Sequence, residues 1–234
     1  MKRALMGIIK LVLVVLIMLY AESYCFEFLA WLGINANSIT PVWQEIIILL
    51  LYILILYAVF IIYRDDLEND FYRFRRNWFP NILMSIVFFA VITIVVWVVS
   101  YLCEVTATAF GTEFITLNYL NVFKQAVDLT TVIFIIKNVF ILPFIYCTVY
   151  ILGINEIFTD KKGAVFFSGL VGAIVAGLGI NGDLLMIIFN VIPYFTLYFA
   201  LAYIYRKNNS NIWYSLTSII LYTFLASVLI EKIT

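Results

Sequence analysis

A lysine within an apolar stretch is the first residue of this chain whose type and position suggest chemistry. Lys137 lies eight residues into an apolar run and is followed by Asn138. Ionisable side chains inside transmembrane segments are rare, and each is by default a hypothesis of function. Two interpretations stay open. The long side chain reaches the outer interface or a backbone carbonyl, or the amine lies in a buried site for an anionic ligand, a peptide carboxylate or a partner helix.

Asn190 is a second polar residue at depth, three residues before Pro193. Its amide is expected either to bond the backbone carbonyl that a proline frees within a helix or to face the same cavity as Lys137. A polar cavity lined by Lys137 and Asn190 would suit a carrier of a small solute or a lipid.

Other residues that could handle protons or hold metals are scarce. The chain has no histidine, and its long apolar runs enclose no carboxylate. Its cysteines, Cys25, Cys103 and Cys147, lack the spacing of a metal site, so we predict no metal and no cofactor. Cys147 is a poor candidate nucleophile, because a thiolate needs a nearby base or cation and its helical neighbours are apolar or aromatic.

These residues belong to a chain with the composition of a membrane protein. Charged residues make up 12% of its 234 residues, against about 25% in soluble domains, and the mean hydropathy is +1.09. The apolar runs are long enough for membrane-crossing helices. We predict an all-α, polytopic transmembrane bundle, with an N-terminal anchor span and outer segment in 1–44 and the main bundle in 45–234. The seven predicted spans are 5–21, 45–63, 81–103, 129–152, 164–180, 184–205 and 212–230.

Two segments lie outside these seven spans. Residues 22–33 are apolar and aromatic but short, which favours a separate interfacial helix and leaves an eighth span open. Residues 104–128 carry apolar side chains at helical spacing, which predicts a helix along the membrane surface or over the bundle. The apolar positions of that face are Phe114, Leu117, Leu120, Phe123 and Val127.

The basic residues predict an orientation. They concentrate at the N-terminus and in the loops 64–79, 153–163 and 206–211, which the positive-inside rule places in the cytoplasm. In the first loop acids precede arginines, so a helix would gain i,i+3 and i,i+4 support. This helix either faces lipid headgroups or docks a cytoplasmic partner through a basic patch of Arg73, Arg75 and Arg76. The formal net charge of zero gives no reason to expect a nucleic-acid partner.

Small residues crowd the fifth predicted span, 164–180. They recur at small-x-x-x-small spacing, which lets helices approach closely. Packing within the bundle is one interpretation, and binding of a partner's transmembrane helix is the other. The face comprises Gly169, Gly172, Ala173, Ala176 and Gly177.

Several motifs resemble those of a known family. Residues 63–78 read Tyr-Arg-Asp-Asp-Leu-Glu-Asn-Asp-Phe-Tyr-Arg-Phe-Arg-Arg-Asn-Trp between two spans, and Phe-Ser-Gly-Leu-Val, Ile-Pro-Tyr and Ala-Leu-Ala-Tyr-Ile-Tyr-Arg-Lys follow at 167–171, 192–194 and 200–207. This order is similar to that of Gram-positive members of the CPBP family, the CAAX-type and bacteriocin-processing intramembrane proteases. The resemblance covers roughly residues 45–230 and is strongest from residue 140 onward. It implies a multi-pass protein of a bacterial cytoplasmic membrane.

The resemblance also implies where a CPBP active site would lie. The family combines a Glu-Glu-x-x-x-Arg motif, a Phe-x-x-x-His motif and a His-x-x-x-Asn or Asp motif, whose side chains activate a water for attack on a peptide bond. The matching positions hold apolar or weakly polar residues here, and the chain has no histidine to supply from elsewhere. The resemblance thus implies a pseudoprotease. The vacated positions are Tyr146, Cys147, Ile151, Gly172, Ala176, Ile219 and Thr223.

The sequence therefore leads to two functional expectations. The first is a protein without enzyme activity that contacts membrane lipids and acts as a scaffold, chaperone or regulator of another membrane or secreted protein. Immunity to a bacteriocin is a special case of that function. The second is the carrier with a polar cavity around Lys137 and Asn190. A homo-oligomer is compatible with either.

Overall fold

The computed structural model of the protein describes residues 2–34, 39–114, 129–158, 160–180 and 182–229. Within these ranges the backbone is helical apart from short connections, and it contains no strand. The prediction of an all-α bundle is confirmed. The helices of the described ranges are α1 (Lys2–Trp31), α2 (Pro41–Ile62), α3 (Arg64–Arg76), α4 (Trp78–Ala109), α5 (Leu129–Ile157), α6 (Lys161–Leu178), α7 (Leu184–Lys207) and α8 (Ile212–Leu229).

Five of these helices are long and apolar enough to cross a membrane. They are α1 from Ala4 onward, α2, α4, α5 and α7. α6 and α8 are apolar too, but each is shorter within the described residues. All seven predicted apolar runs are thus helical, and the apolar helices indicate a membrane protein.

Residues 22–33 form neither the separate interfacial helix nor the eighth span that the sequence suggested. α1 continues through them to Trp31, because no proline or glycine interrupts it, and the chain then turns at Gly33 with a φ of +82°. The 30 residues of α1 extend about 45 Å, which exceeds a hydrocarbon core of about 30 Å. Its end, with Phe28 and Trp31 exposed, is long enough to reach the interface.

The prediction of a surface helix in residues 104–128 is also wrong for residues 104–114, the part that the structure describes. Residues 104–109 extend α4, and the chain leaves the helix at Gly111, where φ is +70°. Phe114 lies in non-helical backbone. The remaining apolar positions of that predicted face lie outside the described residues; they are Leu117, Leu120, Phe123 and Val127.

α5 departs twice from regular α-helix. Residues Ile136–Ile141 and Val149–Gly153 are π-helical, and Pro143 lies just after the first of these segments. Because proline has no N–H, the carbonyl of Val139 lacks its usual α-helical donor. Such π-helical turns occur frequently at functional sites.

α5 is also the helix around which the others pack. It contacts α1, α2, α6, α7 and α8, and Ile145, Cys147, Val149 and Ile151 within it are fully buried. α6 and α7 form an extensively paired hairpin. α1, α2 and α4 turn many large apolar side chains outward, as lipid-facing helices do.

α3 lies across one end of the bundle. We call α3 and the turn between α7 and α8 the basic end. Its apolar residues Leu67 and Phe74 are buried. The indole N–H of Trp213, in α8, donates to the carbonyl of Leu67 at 3.0 Å, and the Phe71 and Trp213 rings are 5.0 Å apart. α3 is therefore docked on the start of α8 rather than free at the membrane surface.

Candidate functional site

Lys137 lies in the first π-helical segment of α5 and is paired with a carboxylate. Its amine is 3.5 Å from Oε2 of Glu45, in the first turns of α2, and 10% of its side chain is exposed. The amine also lies 6.0 Å from the centre of the Tyr52 ring and 5.7 Å from that of Phe134. The recorded partner of this amine is therefore an acid from another helix and not a backbone carbonyl.

A second carboxylate completes this region. The phenol of Tyr52 donates a hydrogen bond to Glu22 of α1, and Glu22 also interacts electrostatically with Tyr146 of α5. We call Glu22, Glu45 and Lys137 the charged cluster. It joins α1, α2 and α5, and its lysine and one glutamate compensate each other's charge.

The charged cluster changes what Lys137 can bind. A buried amine without a counterion would favour an anionic ligand, whereas this amine already has one. An incoming carboxylate would have to displace Glu45, and Glu22 adds a further negative charge. The cluster is therefore better suited to holding helices in register, or to receiving a cationic group, than to holding an anion.

The other two predicted polar residues lie in different surroundings. Asn138 donates to the carbonyl of Phe134 in its own helix, at 2.9 Å. Asn190 donates to the carbonyls of Met186, at 2.8 Å, and of Glu113, at 3.3 Å. These partners differ from those of Lys137, so the expected pairing of Lys137 and Asn190 around one cavity gains no support.

The expectation that Asn190 bonds the carbonyl freed by Pro193 is wrong. A contact of that kind, between a side chain and a carbonyl freed by proline, occurs at Pro143 instead. Asn190 bonds the carbonyl four residues before itself, whereas Pro193 frees that of Phe189. In α5, by contrast, the Val139 carbonyl, which Pro143 leaves without its α-helical donor, lies 3.1 Å from the Thr223 hydroxyl. That hydroxyl has a single proton, which it shares with the Ile219 and Ile220 carbonyls of its own helix, at 2.9 and 3.1 Å.

Most of the positions to which the CPBP resemblance would assign catalytic side chains lie in the packed interior. Cys147 and Ile151 are completely buried, and Ile219 is nearly so. A Cβ atom added at Gly172 would lie 2.2 Å from Cδ2 of Tyr198, so the tyrosine ring occupies that space. Tyr146 and Ala176 are partly buried. Five of the seven positions, counting Thr223, are therefore buried.

Tyrosines fill much of this interior, and the sequence analysis missed them. The Tyr150 ring lies 5.5 Å from that of Tyr146 and 4.9 Å from that of Tyr198. Tyr194 interacts electrostatically with both Tyr146 and Tyr222. The i,i+4 pairs 146/150 and 194/198 were the available signal, since residues four apart share one helix face. We call these five residues of α5, α7 and α8 the tyrosine cluster.

The small-residue face lies inside the α6–α7 hairpin. A Cβ at Gly169 would be 3.0 Å from the carbonyl oxygen of Phe195, and one at Gly177 would be 3.0 Å from Cγ1 of Val191. Gly172 and Ala173 are buried as well, and Ala176 is partly buried. The packing interpretation accounts for this face, and a partner helix could use it only by displacing α7.

The predicted basic patch divides into two parts. Arg73 is tied to the basic end: it pairs with Asp70 and donates to the carbonyls of Asn209, at 3.0 Å, and Ser210, at 3.1 Å. Arg75 and Arg76 are exposed and make no ion pair with any residue that the structure describes. Only these two remain open to a partner.

A further ion pair was missed because its members are far apart in sequence. Lys10, inside the first predicted span, is 2.9 Å from Glu156 of α5, and its amine lies 5.6 Å from the centre of the Tyr63 ring. Side chains from α1, α2 and α5 thus meet twice, here and in the charged cluster. The lysine within an apolar run was the signal, as for Lys137.

In the part of the chain that the structure describes, no group of three or more His, Cys, Asp or Glu side chains is arranged to hold a metal ion. Around the positions that the CPBP resemblance identifies, the described side chains offer a buried ion pair and phenols, which are weak acids. No family model, curated protein or solved structure matches the chain.

Proposed function

We propose that this protein is a CPBP-like membrane helix bundle without catalysis, which acts as a scaffold, chaperone or regulator of another membrane or secreted protein. One observation carries the proposal: most of the positions at which the family would hold its catalytic side chains are buried, and none of them holds a carboxylate or an imidazole. Ile151 and Ile219 are buried, and the Tyr198 ring lies against Gly172.

The chemistry of the filled interior supports a role in binding rather than in hydrolysis. Peptide hydrolysis by this family's route needs a base that titrates near neutral pH. Phenols of the tyrosine cluster are weak acids, and the thiol of Cys147 is buried among apolar side chains without a base. Immunity to a bacteriocin remains a special case of the proposed function.

The exposed arginines are the best candidates for contact with a partner. Arg75 and Arg76 lie on α3, which the contacts of Asp70 and Trp213 hold in one position. A rigid helix that presents two unpaired guanidinium groups suits an acidic segment of a partner. We place this basic end in the cytoplasm of a bacterial cell, following the distribution of basic residues.

Affinity purification in a mild detergent from the native host tests the proposal. A stoichiometric protein partner should accompany the wild type and be lost from the Arg75→Gln/Arg76→Gln variant. The Lys162→Gln/Lys207→Gln variant removes the same charge from other exposed positions and should retain the partner. Purification of a correctly folded protein without any partner would contradict the proposal.

A carrier is the second candidate, because charged side chains inside a membrane bundle are rare and energetically unfavourable unless they serve a function. Under this hypothesis the purified protein retains a small molecule whose binding changes in Lys137→Met or in Glu45→Gln, while any protein partner stays bound. Mass spectrometry of the small molecules that accompany the two proteins separates the candidates. A retained solute that is insensitive to Lys137→Met and to Glu45→Gln would count against a carrier built on this cluster.

A further inference from the structure

A polar cavity of about 190 Å³ opens at the basic end, between the end of α3, the start of α4 and the turn between α7 and α8. Seven residues line it, and five of them are asparagines. At about 30 Å³ per water molecule, the cavity holds roughly six waters, enough space for a phosphate group with a short polyol. It lies apart from the charged cluster and from the tyrosine cluster.

Part of the lining is fixed by hydrogen bonds within the protein. Asn81 donates to the carbonyl of Phe74 at 2.6 Å and accepts a hydrogen bond from the hydroxyl of Tyr214 at 2.6 Å. Asn211 donates to the carbonyl of Asp70 at 3.0 Å. These bonds hold α3, α4 and α8 together, so the wall of the cavity is formed before any ligand arrives.

Other polar groups on the cavity have no partner among the described residues. The side chains of Asn77 and Asn209 make no hydrogen bond there, and Asn77 does not cap α4. Arg73 has five N–H groups, of which three point to Asp70, Asn209 and Ser210. Two guanidinium donors and two free amides therefore remain for a ligand.

The groups that remain free define the ligand. Guanidinium donors favour phosphate oxygens, and amides can both donate to those oxygens and accept from hydroxyls. The negative charge of the nearby Asp70 carboxylate is partly compensated by its own contacts. Asp70 pairs with Arg73, accepts the N–H of Ile212 at 2.8 Å, and only 5% of its side chain is exposed. A phosphate diester that carries hydroxyl groups satisfies both kinds of site.

The surroundings indicate that this phosphate belongs to a lipid. Trp78 and Phe79, which follow Asn77 directly, are 60% and 64% exposed. Exposed aromatic side chains at the end of an apolar helix favour the headgroup level of a membrane. We propose that the cavity binds the headgroup of an anionic glycerophospholipid, with its phosphate on Arg73 and its hydroxyls on Asn77 and Asn209.

The test uses the full-length protein in nanodiscs of phosphatidylcholine, to which phosphatidylglycerol is added and its retention measured by native mass spectrometry. Asn77→Asp keeps the size of the side chain but places a negative charge in the cavity. We expect it to weaken retention at least about tenfold, because the new carboxylate repels the phosphate on Arg73. Asn69→Asp is the matched control, since Asn69 is exposed on α3 and does not line the cavity; it should retain the lipid.

A second variant tests the same cavity without adding a charge, so that loss of lipid cannot be attributed to the new charge or to misfolding of Asn77→Asp. Asn209 has a φ of +55°, so Asn209→Gly keeps its backbone conformation while it removes the amide. This variant should also lose retention, by a few-fold. Equal retention by the wild type, Asn77→Asp and Asn209→Gly would overturn the proposal, and so would equal loss in Asn69→Asp.

Water-soluble glycerol phosphate separates the two sources of such a ligand. The lipid assignment requires that millimolar glycerol phosphate fails to displace phosphatidylglycerol from the wild type. Displacement that depends on Asn77 would assign the cavity to a soluble phosphate ester and overturn the lipid assignment. None of these outcomes depends on the scaffold function proposed above.

Discussion

The two polar regions of the molecule are held together in different ways. At the basic end, side chains bond to backbone groups of a single turn: Asp70 accepts the N–H of Ile212, and Arg73 donates to the carbonyls of Asn209 and Ser210. In the charged cluster, Lys137 and Glu45 meet through their side chains alone, 92 residues apart.

The difference lies in what replaces each contact when it breaks. Arg73 is half exposed, so water and lipid headgroups can solvate it if its bonds open. Water cannot solvate Lys137 in the same way, because most of its side chain is buried. Exposed ion pairs contribute little to stability, whereas an unpaired charge in the interior is costly. The basic end thus tolerates rearrangement, and the charged cluster does not.

The largest effect should come from breaking the charged cluster. Lys137→Met leaves Glu45 without its counterion, and we expect a loss of about 3 kcal/mol in the free energy of unfolding. Unfolding by a denaturing detergent in mixed micelles measures this loss. The double variant Lys137→Met/Glu45→Gln should recover most of it, because no uncompensated charge remains. Equal losses in the single and double variants would show that the pairing is not what stabilises this region.

The basic end gives the next largest effect. Asp70→Ala removes the acceptor of the Ile212 N–H and the partner of Arg73, and we expect a loss of about 2 kcal/mol. Asp65→Ala, at an exposed position of α3, should change stability little. The same detergent titration measures both variants. A loss as large in Asp65→Ala would mean that α3 contributes through its charge and not through this contact.

Asp70 also gives the basic end a pH dependence. Burial raises the pKa of its carboxyl, against the opposing effects of the Ile212 N–H and Arg73. Since the folded-state pKa is the higher one, the contribution of this group to stability is fully present below the unfolded-state pKa and is lost as the pH rises through the folded-state pKa. Asp70→Asn should remove that dependence, as thermal unfolding between pH 4 and pH 7 would reveal.

The helices and the local contacts were predictable from the sequence. Apolar runs predicted every apolar helix, because a bilayer requires backbone hydrogen bonds to close within each segment. The i,i+3 pair of Asp70 and Arg73 followed from spacing alone. The ends of α1 and α4 were predicted too early, because both helices continue beyond the apolar run; the glycines that mark their ends are Gly33 and Gly111.

The contacts between distant segments were not predictable. Glu45 and Glu22 stood at the edges of apolar runs, so nothing in the sequence joined them to Lys137 or to Tyr52. The π-helical turns of α5 rotate its later side chains by an amount that a regular helical period does not include. The tyrosine cluster gave only a local signal, the i,i+4 pairs 146/150 and 194/198, and nothing in the sequence joined its three helices.

The packing of α6 on α7 offers a smaller perturbation of the interior. A Cβ at Gly172 would collide with the ring of Tyr198, so Gly172→Ala should cost about 1 to 2 kcal/mol. Gly179→Ala is the matched control, because its nearest neighbour would lie at 3.6 Å from the new Cβ. Detergent-induced unfolding of the two variants gives the comparison. A neutral Gly172→Ala would show that the hairpin opens easily enough to admit a partner helix.

The smallest expected effect concerns the hydrogen bond to the Val139 carbonyl, the backbone group that Pro143 leaves without its α-helical donor. Thr223→Val removes the hydroxyl that reaches the Val139 carbonyl in α5, and interhelical hydrogen bonds in membranes contribute about 0.6 kcal/mol on average. In Thr196→Val the lost hydroxyl bonds only the carbonyl of Ile192 in its own helix, so stability should stay the same. Thr223 also lies 2.9 Å from the Ile219 carbonyl of its own helix, so the contact to Val139 is what distinguishes it from Thr196. Equal stability of the two variants would mean that α5 satisfies this carbonyl from within its own π-helical turn.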